Sequence, residues 1–225
     1  GADATRWYMI SNAQVWDNLR FDLAGIEETT RLFFGKLFNT YSFFALYANI
    51  DKFRHMEADI PMWQRPEIDR WILSALHSLI NEVDADLAQY ESTNAARKMM
   101  QFVDEQLSNW YVRLCRRRFW IGEYTEDKIS AYQTLYTCLS TIAKLMSPVA
   151  PFFSDRLFID LNKATGKEDV ISVHLADFPV YNKALVDKDL EERMALAQDI
   201  SSLILSLRKK VSINVRQPLS KAMIP

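Results

Sequence analysis

Four arginines crowd into six positions (Arg113, Arg116, Arg117 and Arg118) inside the stretch Asn109-Trp110-Tyr111-Val112-Arg113-Leu114-Cys115-Arg116-Arg117-Arg118-Phe119-Trp120. A guanidinium stays charged and donates hydrogen bonds from a planar fork, which suits the oxygens of a phosphate. Aromatic rings beside it can stack on unpaired bases, the usual way in which a protein holds single-stranded RNA. The rival reading is an ordinary solvated helix face, and on residue physics alone both stay open for the arginines. For Trp110 and Tyr111 a place in the core is the favoured reading.

The element that must carry these side chains is a helix. Winding residues 103–117 at about 100° each puts Val103, Leu107, Trp110, Tyr111 and Leu114 on one side, with Asn109, Arg113, Arg116 and Arg117 on the other. That is an amphipathic helix with a guanidinium face turned outward. Continued winding carries Arg118 onto the apolar face. Either the helix has ended by Arg118, or Arg118 is buried beside a carboxylate; Gly122, soon afterwards, favours the first.

Composition bounds the rest. A chain of 225 residues can bury a sizeable core, as one large or two smaller domains. Hydrophobic residues make up 49% and charged residues 25%, a balance that excludes wholesale disorder. Five glycines and seven prolines leave few punctuation points, so long helices are expected. With a net charge of −2, any RNA contact must come from a local patch. Cys115 and Cys138 have neither metal spacing nor a disulfide framework and read as free thiols in a reducing compartment. The longest strongly apolar run, Phe43 to Ala48, is too short to span a bilayer, and no secretory signal opens the chain. The expectation is a soluble, cytoplasmic protein.

In order, the pattern predicts a short helix to Asn12, a loop from Ala13 to Asp22, and a long helix from Asp22 or Gly25 to about Ala48. Phe33, Phe34, Leu37, Phe38, Tyr41, Phe43, Phe44, Leu46 and Tyr47 cover nearly every side of that helix, which makes it the central, buried one. After a loop over 51–66, Pro66-Glu67 opens a helix to about Tyr90, with Glu82, Asp84 and Asp86 on a solvated face. Ser92-Thr93-Asn94 supplies N-cap residues for the helix that becomes the arginine stretch. Thr125 or Glu126 opens a helix to about Met146, Pro151 one to about Lys163 that Gly166 ends, and Asp187 one to about Val211. Residues 170–178 read as extended. No period of 20 to 50 residues recurs. The fold class is therefore all-α, an antiparallel helical bundle of about five long helices.

Familiar catalytic arrangements are missing from this pattern. His55, His77 and His174 are scattered, without the Glu-x-x-His spacing of bundle metal sites, and there is no Gly-rich phosphate loop. No catalytic residue and no metal ligand is expected here.

Several stretches resemble one family. Asn109-Trp110-Tyr111-Val112-Arg113 with Arg116-Arg117-Arg118-Phe119-Trp120 resembles the anticodon-binding helical domain of the isoleucyl-tRNA synthetases, and looks most like the eukaryotic-like branch shared by cytosolic enzymes and some bacteria. Gly1-Ala2-Asp3-Ala4-Thr5-Arg6-Trp7-Tyr8 resembles the Gly-Ala-Asp-x-x-Arg segment that follows the Lys-Met-Ser-Lys-Ser loop in class I ligases, and Trp16-Asp17-Asn18-Leu19-Arg20-Phe21 resembles the connector after it. Asn39-Thr40-Tyr41-Ser42-Phe43-Phe44 with Tyr47-Ala48-Asn49 is similar to the first bundle helix of the isoleucine enzymes. Leu145-Met146-Ser147-Pro148-Val149-Ala150-Pro151-Phe152 resembles a packing motif common to the isoleucine, leucine, valine and methionine enzymes, with Asp155 and Phe158 where glutamate and tryptophan are frequent. Val215-Arg216-Gln217-Pro218-Leu219 looks like the junction into the C-terminal region.

The resemblance implies three parts: residues 1–24 as the tail of the catalytic region, 25–185 as the anticodon-binding bundle, and 186–225 as the last helix and the junction. It implies a larger ligase that joins isoleucine to tRNA(Ile) using ATP and magnesium. The chain itself would be a non-catalytic piece lacking the ATP-binding motifs and the editing domain, with no cofactor of its own. The expected partner is tRNA(Ile), with no DNA, no membrane and a monomeric state. Contacts are expected from Arg113, Arg116, Arg117 and Arg118, from Trp120 by stacking, from Arg6 near the catalytic core, and from a basic track of Lys209, Lys210 and Arg216 extended by Arg208. The plainer reading of that last cluster is charge complementing a helix dipole. Alternatives are the same region of a valyl- or leucyl-type enzyme, or a helical scaffold that binds acidic proteins.

Overall fold

The computed structural model describes residues 1–14, 16–221 and 223 and resolves them into two compact units, Gly1–Val186 and Asp187–Pro225. Every regular element among the described residues is helical. The first unit holds α1 (Ala2–Asn12), α2 (Leu23–Thr29), α3 (Gly35–Ile50), α4 (Glu67–Ala88), α5 (Ser92–Gln101), α6 (Arg113–Trp120), α7 (Glu126–Met146) and α8 (Pro151–Thr165). Two pairs are continuous rods: a π-helical turn, Thr30–Phe34, joins α2 to α3, and a longer π-helical segment, Phe102–Val112, joins α5 to α6. The second unit carries α9 (Lys188–Lys210). No described helix is long and apolar enough to cross a membrane.

The boundaries follow from capping chemistry. Asp22, Thr125 and Asp187 each accept a bond from a backbone N–H in the first turn of the helix they precede, satisfying a donor that the helix leaves orphaned. Pro66 and Pro151 open α4 and α8, where a missing N–H costs nothing. Gly166 ends α8 at φ 60°, a left-handed cap. The expected cap at Ser92-Thr93-Asn94 is not formed, because all three residues already lie within α5. Two of them grip their surroundings instead: Thr93 Oγ1 donates to the Ala13 carbonyl, and Asn94 Nδ2 donates to Glu91. Together with Arg97, which donates to the carbonyls of Ser11 and Asn12, α5 satisfies the end of α1.

The innermost helix is α7, where the aromatic pattern had pointed to α3. On α3 only Leu37, Thr40, Phe44 and Ala48 are buried, one stripe at helical spacing, and Phe38 on the far side is 55% exposed. Most of α7 is buried, including Lys128, Ser130, Gln133 and Thr134. Those polar side chains disguise it in the sequence, and each has a partner inside. Gln133 accepts from Ile60 N and donates to the Ala58 carbonyl; Arg65 donates to Thr134 and Gln133. Lys128 Nζ lies 2.5 Å from Asp51, which also takes the Tyr132 hydroxyl proton bond. Rings fill the space between, Tyr132 stacking on Phe53 at 4.8 Å and meeting Phe119 edge-on at 5.0 Å.

At the other end of the unit, α1 docks through Trp7, stacked on Phe33 at 4.3 Å. Asp3 closes this end, its Oδ2 accepting the backbone N–H of Phe153 in the first turn of α8 at 2.7 Å. Alongside, α2 passes so close to α1 that a methyl group on Gly25 would stand 2.3 Å from Cε2 of the buried Tyr8 ring. In an unobstructed helix Gly→Ala gains about 0.5–1 kcal/mol. Here the sign should reverse: Gly25→Ala is expected to cost about 1–3 kcal/mol through overpacking, read as a fall in the denaturant midpoint.

Candidate nucleic-acid interface

The arginine stretch does form a helix, but it winds differently from the simple 3.6-residue expectation. Val103, Leu107, Tyr111, Cys115 and Phe119 are all fully buried, one residue in every four. In an α-helix a strict four-residue stripe drifts by about 40° per step. The wider i→i+5 winding of Phe102–Val112 takes up much of that drift and keeps the first half of the stripe facing inward. A consequence is that Leu114, expected inside, is exposed, while Trp110 is half-buried and Tyr111 fully buried.

Past Val112, α6 winds normally, and about 100° per residue brings Arg113, Arg116, Arg117 and Trp120 into an arc of about 100° opposite Tyr111, Cys115 and Phe119. All four are exposed, Trp120 at 57%. Among the described residues, none of the three arginine side chains makes a hydrogen bond or an ion pair. The protein has more acids than bases, yet no described carboxylate pairs with these three. Three uncompensated guanidinium groups and an exposed indole thus share one helix face.

Arg118 does not belong with them, and the helix does not end before it; α6 runs on to Trp120. Winding carries Arg118 to the buried side, where it meets Asp69 of α4, which is 0% exposed. Nη1 donates to Asp69 Oδ1 at 2.6 Å and Nη2 to Oδ2 at 2.8 Å, a bidentate fork. The Tyr111 hydroxyl donates to Oδ1 at 2.9 Å and the Ser130 hydroxyl to Oδ2 at 2.6 Å, so each carboxylate oxygen accepts two bonds. Arg118 also donates to the Asp127 carboxylate and carbonyl at the start of α7. Its side chain is 14% exposed. Burial alone would lower the Arg118 pKa, but the bonds to Asp69 override it and hold the guanidinium charged. Burial raises the Tyr111 pKa well above normal, and it pushes the neighbouring Cys115 thiol up to about 11, Arg118 partly opposing.

Asp69 was missing from the sequence-level site, though a signal existed. With Ile72, Leu76, Leu79 and Val83 it lies on a buried row of α4, a helix buried on every side from Trp71 to Leu76. A carboxylate and an arginine each out of place on an apolar stripe are each other's natural partners.

The other expected contacts are dispersed. Arg6 is on α1, paired with Asp3 at 2.8 Å and placed 5.3 Å from the Phe152 ring centroid, beside an open apolar groove of about 540 Å³ lined in part by Ala2, Phe34, Phe38 and Phe152. Lys209, Lys210 and Arg216 are exposed and lie in the second unit, where Arg208 donates to the carbonyls of Asn214 and Gln217 and so closes the end of α9. His55 is bonded to Asp59, His77 accepts from Asn182 N, and His174 is paired with the Pro151 carbonyl. The described residues hold no cluster of three potential metal ligands.

Residues 69–223 match the family described as the anticodon-binding domain of tRNA ligase. The chain belongs to that family. Over its whole length this anticodon-binding domain is 62% identical to an isoleucine–tRNA ligase of Bacteroides thetaiotaomicron and 62% identical to one of Cytophaga hutchinsonii. It covers 19% of the first and 20% of the second, so it spans about a fifth of the length of these relatives. Both are bacterial, which corrects the eukaryotic-like leaning of the sequence resemblance. Among solved structures, the agnB2 LeuRS–tRNA–LeuAMS ternary complex of Agrobacterium radiobacter K84 contains a similar fold, with a TM-score of 0.57 at 19% identity over 83% of this chain and 20% of that one.

Two outcomes follow for the anticodon-binding domain. Asp69→Ala should cost about 3–5 kcal/mol by stranding a buried guanidinium, whereas Arg116→Ala and Arg117→Ala should stay within about 0.5 kcal/mol, measured by urea unfolding. A group whose folded pKa is raised contributes stability below its unfolded pKa and loses it as pH rises to the folded value. For Cys115 that window runs from pH 9.0 to about 11. The melting temperature should fall across it, and less steeply in Cys115→Ala.

Proposed function

We propose that this chain recognises the anticodon arm of tRNA(Ile) within an isoleucine–tRNA ligase. The observation that carries the reading is the α6 face, where Arg113, Arg116 and Arg117 are exposed and unpaired around Trp120. Guanidinium groups without internal partners are free to displace counterions from phosphates, and the indole offers a stacking surface for an unpaired base. The 62% identity to isoleucine–tRNA ligases favours isoleucine over the valine and leucine relatives. Arg6, Lys209, Lys210 and Arg216 are secondary contacts on this reading; Arg118 serves the interior.

The complete enzyme would activate isoleucine with ATP and magnesium and esterify it to tRNA(Ile) in the cytoplasm. That chemistry is assigned to parts of the ligase outside these 225 residues, with residues 1–24 as the tail of the catalytic region. This chain, a monomer, positions the RNA. Phosphate contacts fix its register and base contacts read the anticodon.

The test is binding of the chain to tRNA(Ile) and to a copy with an altered anticodon across a salt series. Tighter binding to the native anticodon is expected. Arg116→Ala with Arg117→Ala should weaken both complexes and make the log–log salt slope shallower by about two. An unchanged affinity and slope in that double variant would remove the arginine face from the interface.

A further inference from the structure

We propose that Arg118 is a positioning residue for tRNA binding: its fork on Asp69 sets the rotation of α6 and thereby aims Arg113, Arg116, Arg117 and Trp120 outward as one surface. The inference rests on the reading of that surface given above, and concerns a residue that touches no RNA.

Little else holds α6. It is a short rod end of eight residues, and the side chains it buries are Cys115 and Phe119. The packed stripe upstream on the same rod limits its rotation, but its own two apolar contacts, at i and i+4, fix its roll less sharply than directional bonds would. A bidentate fork does have direction. Two N–H groups fixed in one plane meet both oxygens of one carboxylate, at 2.6 and 2.8 Å, and tolerate little rotation. The carboxylate cannot turn to follow, because Tyr111 and Ser130 occupy the remaining acceptor positions from two other sides. On its other edge the guanidinium is held by Asp127, at the N-terminal turn of α7. The end of α6 is therefore gripped between α4 and α7 by directional bonds.

The placement of the fork along the helix matters as much. Tyr111 and Arg118 lie seven residues apart, two α-helical turns, and so project from one face. Asp69 holds both, one before the junction at Arg113 where π winding gives way to α winding, and one after it. Any rewinding of Phe102–Val112 would roll α6 relative to Tyr111 and break the fork. Arg116 and Arg117, immediately before Arg118, would turn with it. One buried bond pair thus registers the outward face against the interior.

The experiment uses tRNA(Ile), with affinity and salt slope measured at a temperature where circular dichroism shows every variant folded. Arg118→Lys keeps a charge on Asp69 but loses the fork; Asp69→Asn keeps the volume but weakens the grip. Leu157→Ala, in the core of α8, serves as a variant destabilised away from α6. Arg118→Lys and Asp69→Asn are expected to lower affinity about tenfold and make the salt slope shallower by about one, while Leu157→Ala leaves both unchanged. In the Arg116→Ala, Arg117→Ala background the same two substitutions should change affinity less than about twofold, since the surface they aim is gone. If Asp69→Asn fails to fold, Arg118→Lys carries the comparison. Melting temperatures that fall while affinity and slope stay at the parent values, as for Leu157→Ala, would overturn the positioning role and leave the surface reading intact. Losses that simply multiply with those of Arg116→Ala, Arg117→Ala would overturn it as well. Should the double arginine variant itself bind as tightly as the parent, the surface reading falls and the positioning role falls with it.

Discussion

The architecture depends on one buried carboxylate. Asp69 has given up all its water, a cost that would be prohibitive for an unpartnered charge. It is repaid by four donors from three neighbouring elements: the π-helical segment, α6 and α7. Because every acceptor position is filled, none of these elements can shift without stranding a charge. Apolar residues around it supply much of the cohesion; the carboxylate supplies register. Asp51 plays a smaller version of the same part for Lys128 and Tyr132, and Arg65 does so for Gln133 and Thr134. The innermost helix is consequently a polar one whose side chains are satisfied, not a greasy one.

That fact explains where the sequence was legible and where it was not. Helix ends were readable because capping is local: Asp22, Thr125, Pro151, Gly166 and Asp187 each act within a few residues. Burial was harder. The aromatics of α3 suggested a central helix, but a large ring can lie half against the core and half against solvent, as Phe43 and Tyr47 do. The burial of α7's polar side chains has no local signature, since partners such as Asp69 and the Ala58 carbonyl lie more than sixty residues away in the chain. The sequence pattern identifies the arginine helix and turns three of its arginines outward, as the structure has them. Its winding was not legible. Nothing in the residues 102–112 announces i→i+5 bonding, although the one-in-four spacing of Val103, Leu107, Tyr111, Cys115 and Phe119 is its trace.

The four arginines also show how one residue type divides its labour by angle alone. Arg117 and Arg118 are neighbours in sequence and separated by about 100° around the helix. One faces water without a partner; the other is nearly enclosed by carboxylates. Composition cannot distinguish them, and neither can a motif. Helical phase, given by the stripe of buried residues along the rod and fixed at its end by the Arg118–Asp69 fork, decides which guanidinium is available to a ligand and which is part of the interior.

The bond between Asp3 and the backbone of Phe153 has a consequence in time. The acceptor leaves the ribosome near the start of this segment, and its donor follows 150 residues later. At about 5–20 residues per second that gap is roughly 8–30 s. Throughout it the α8 turn that Asp3 caps does not exist, so one of the contacts that seat α1 is missing. Within this segment, the earliest helix to be made is thus among the last to be fully secured, its closure deferred until two-thirds of the segment has been translated.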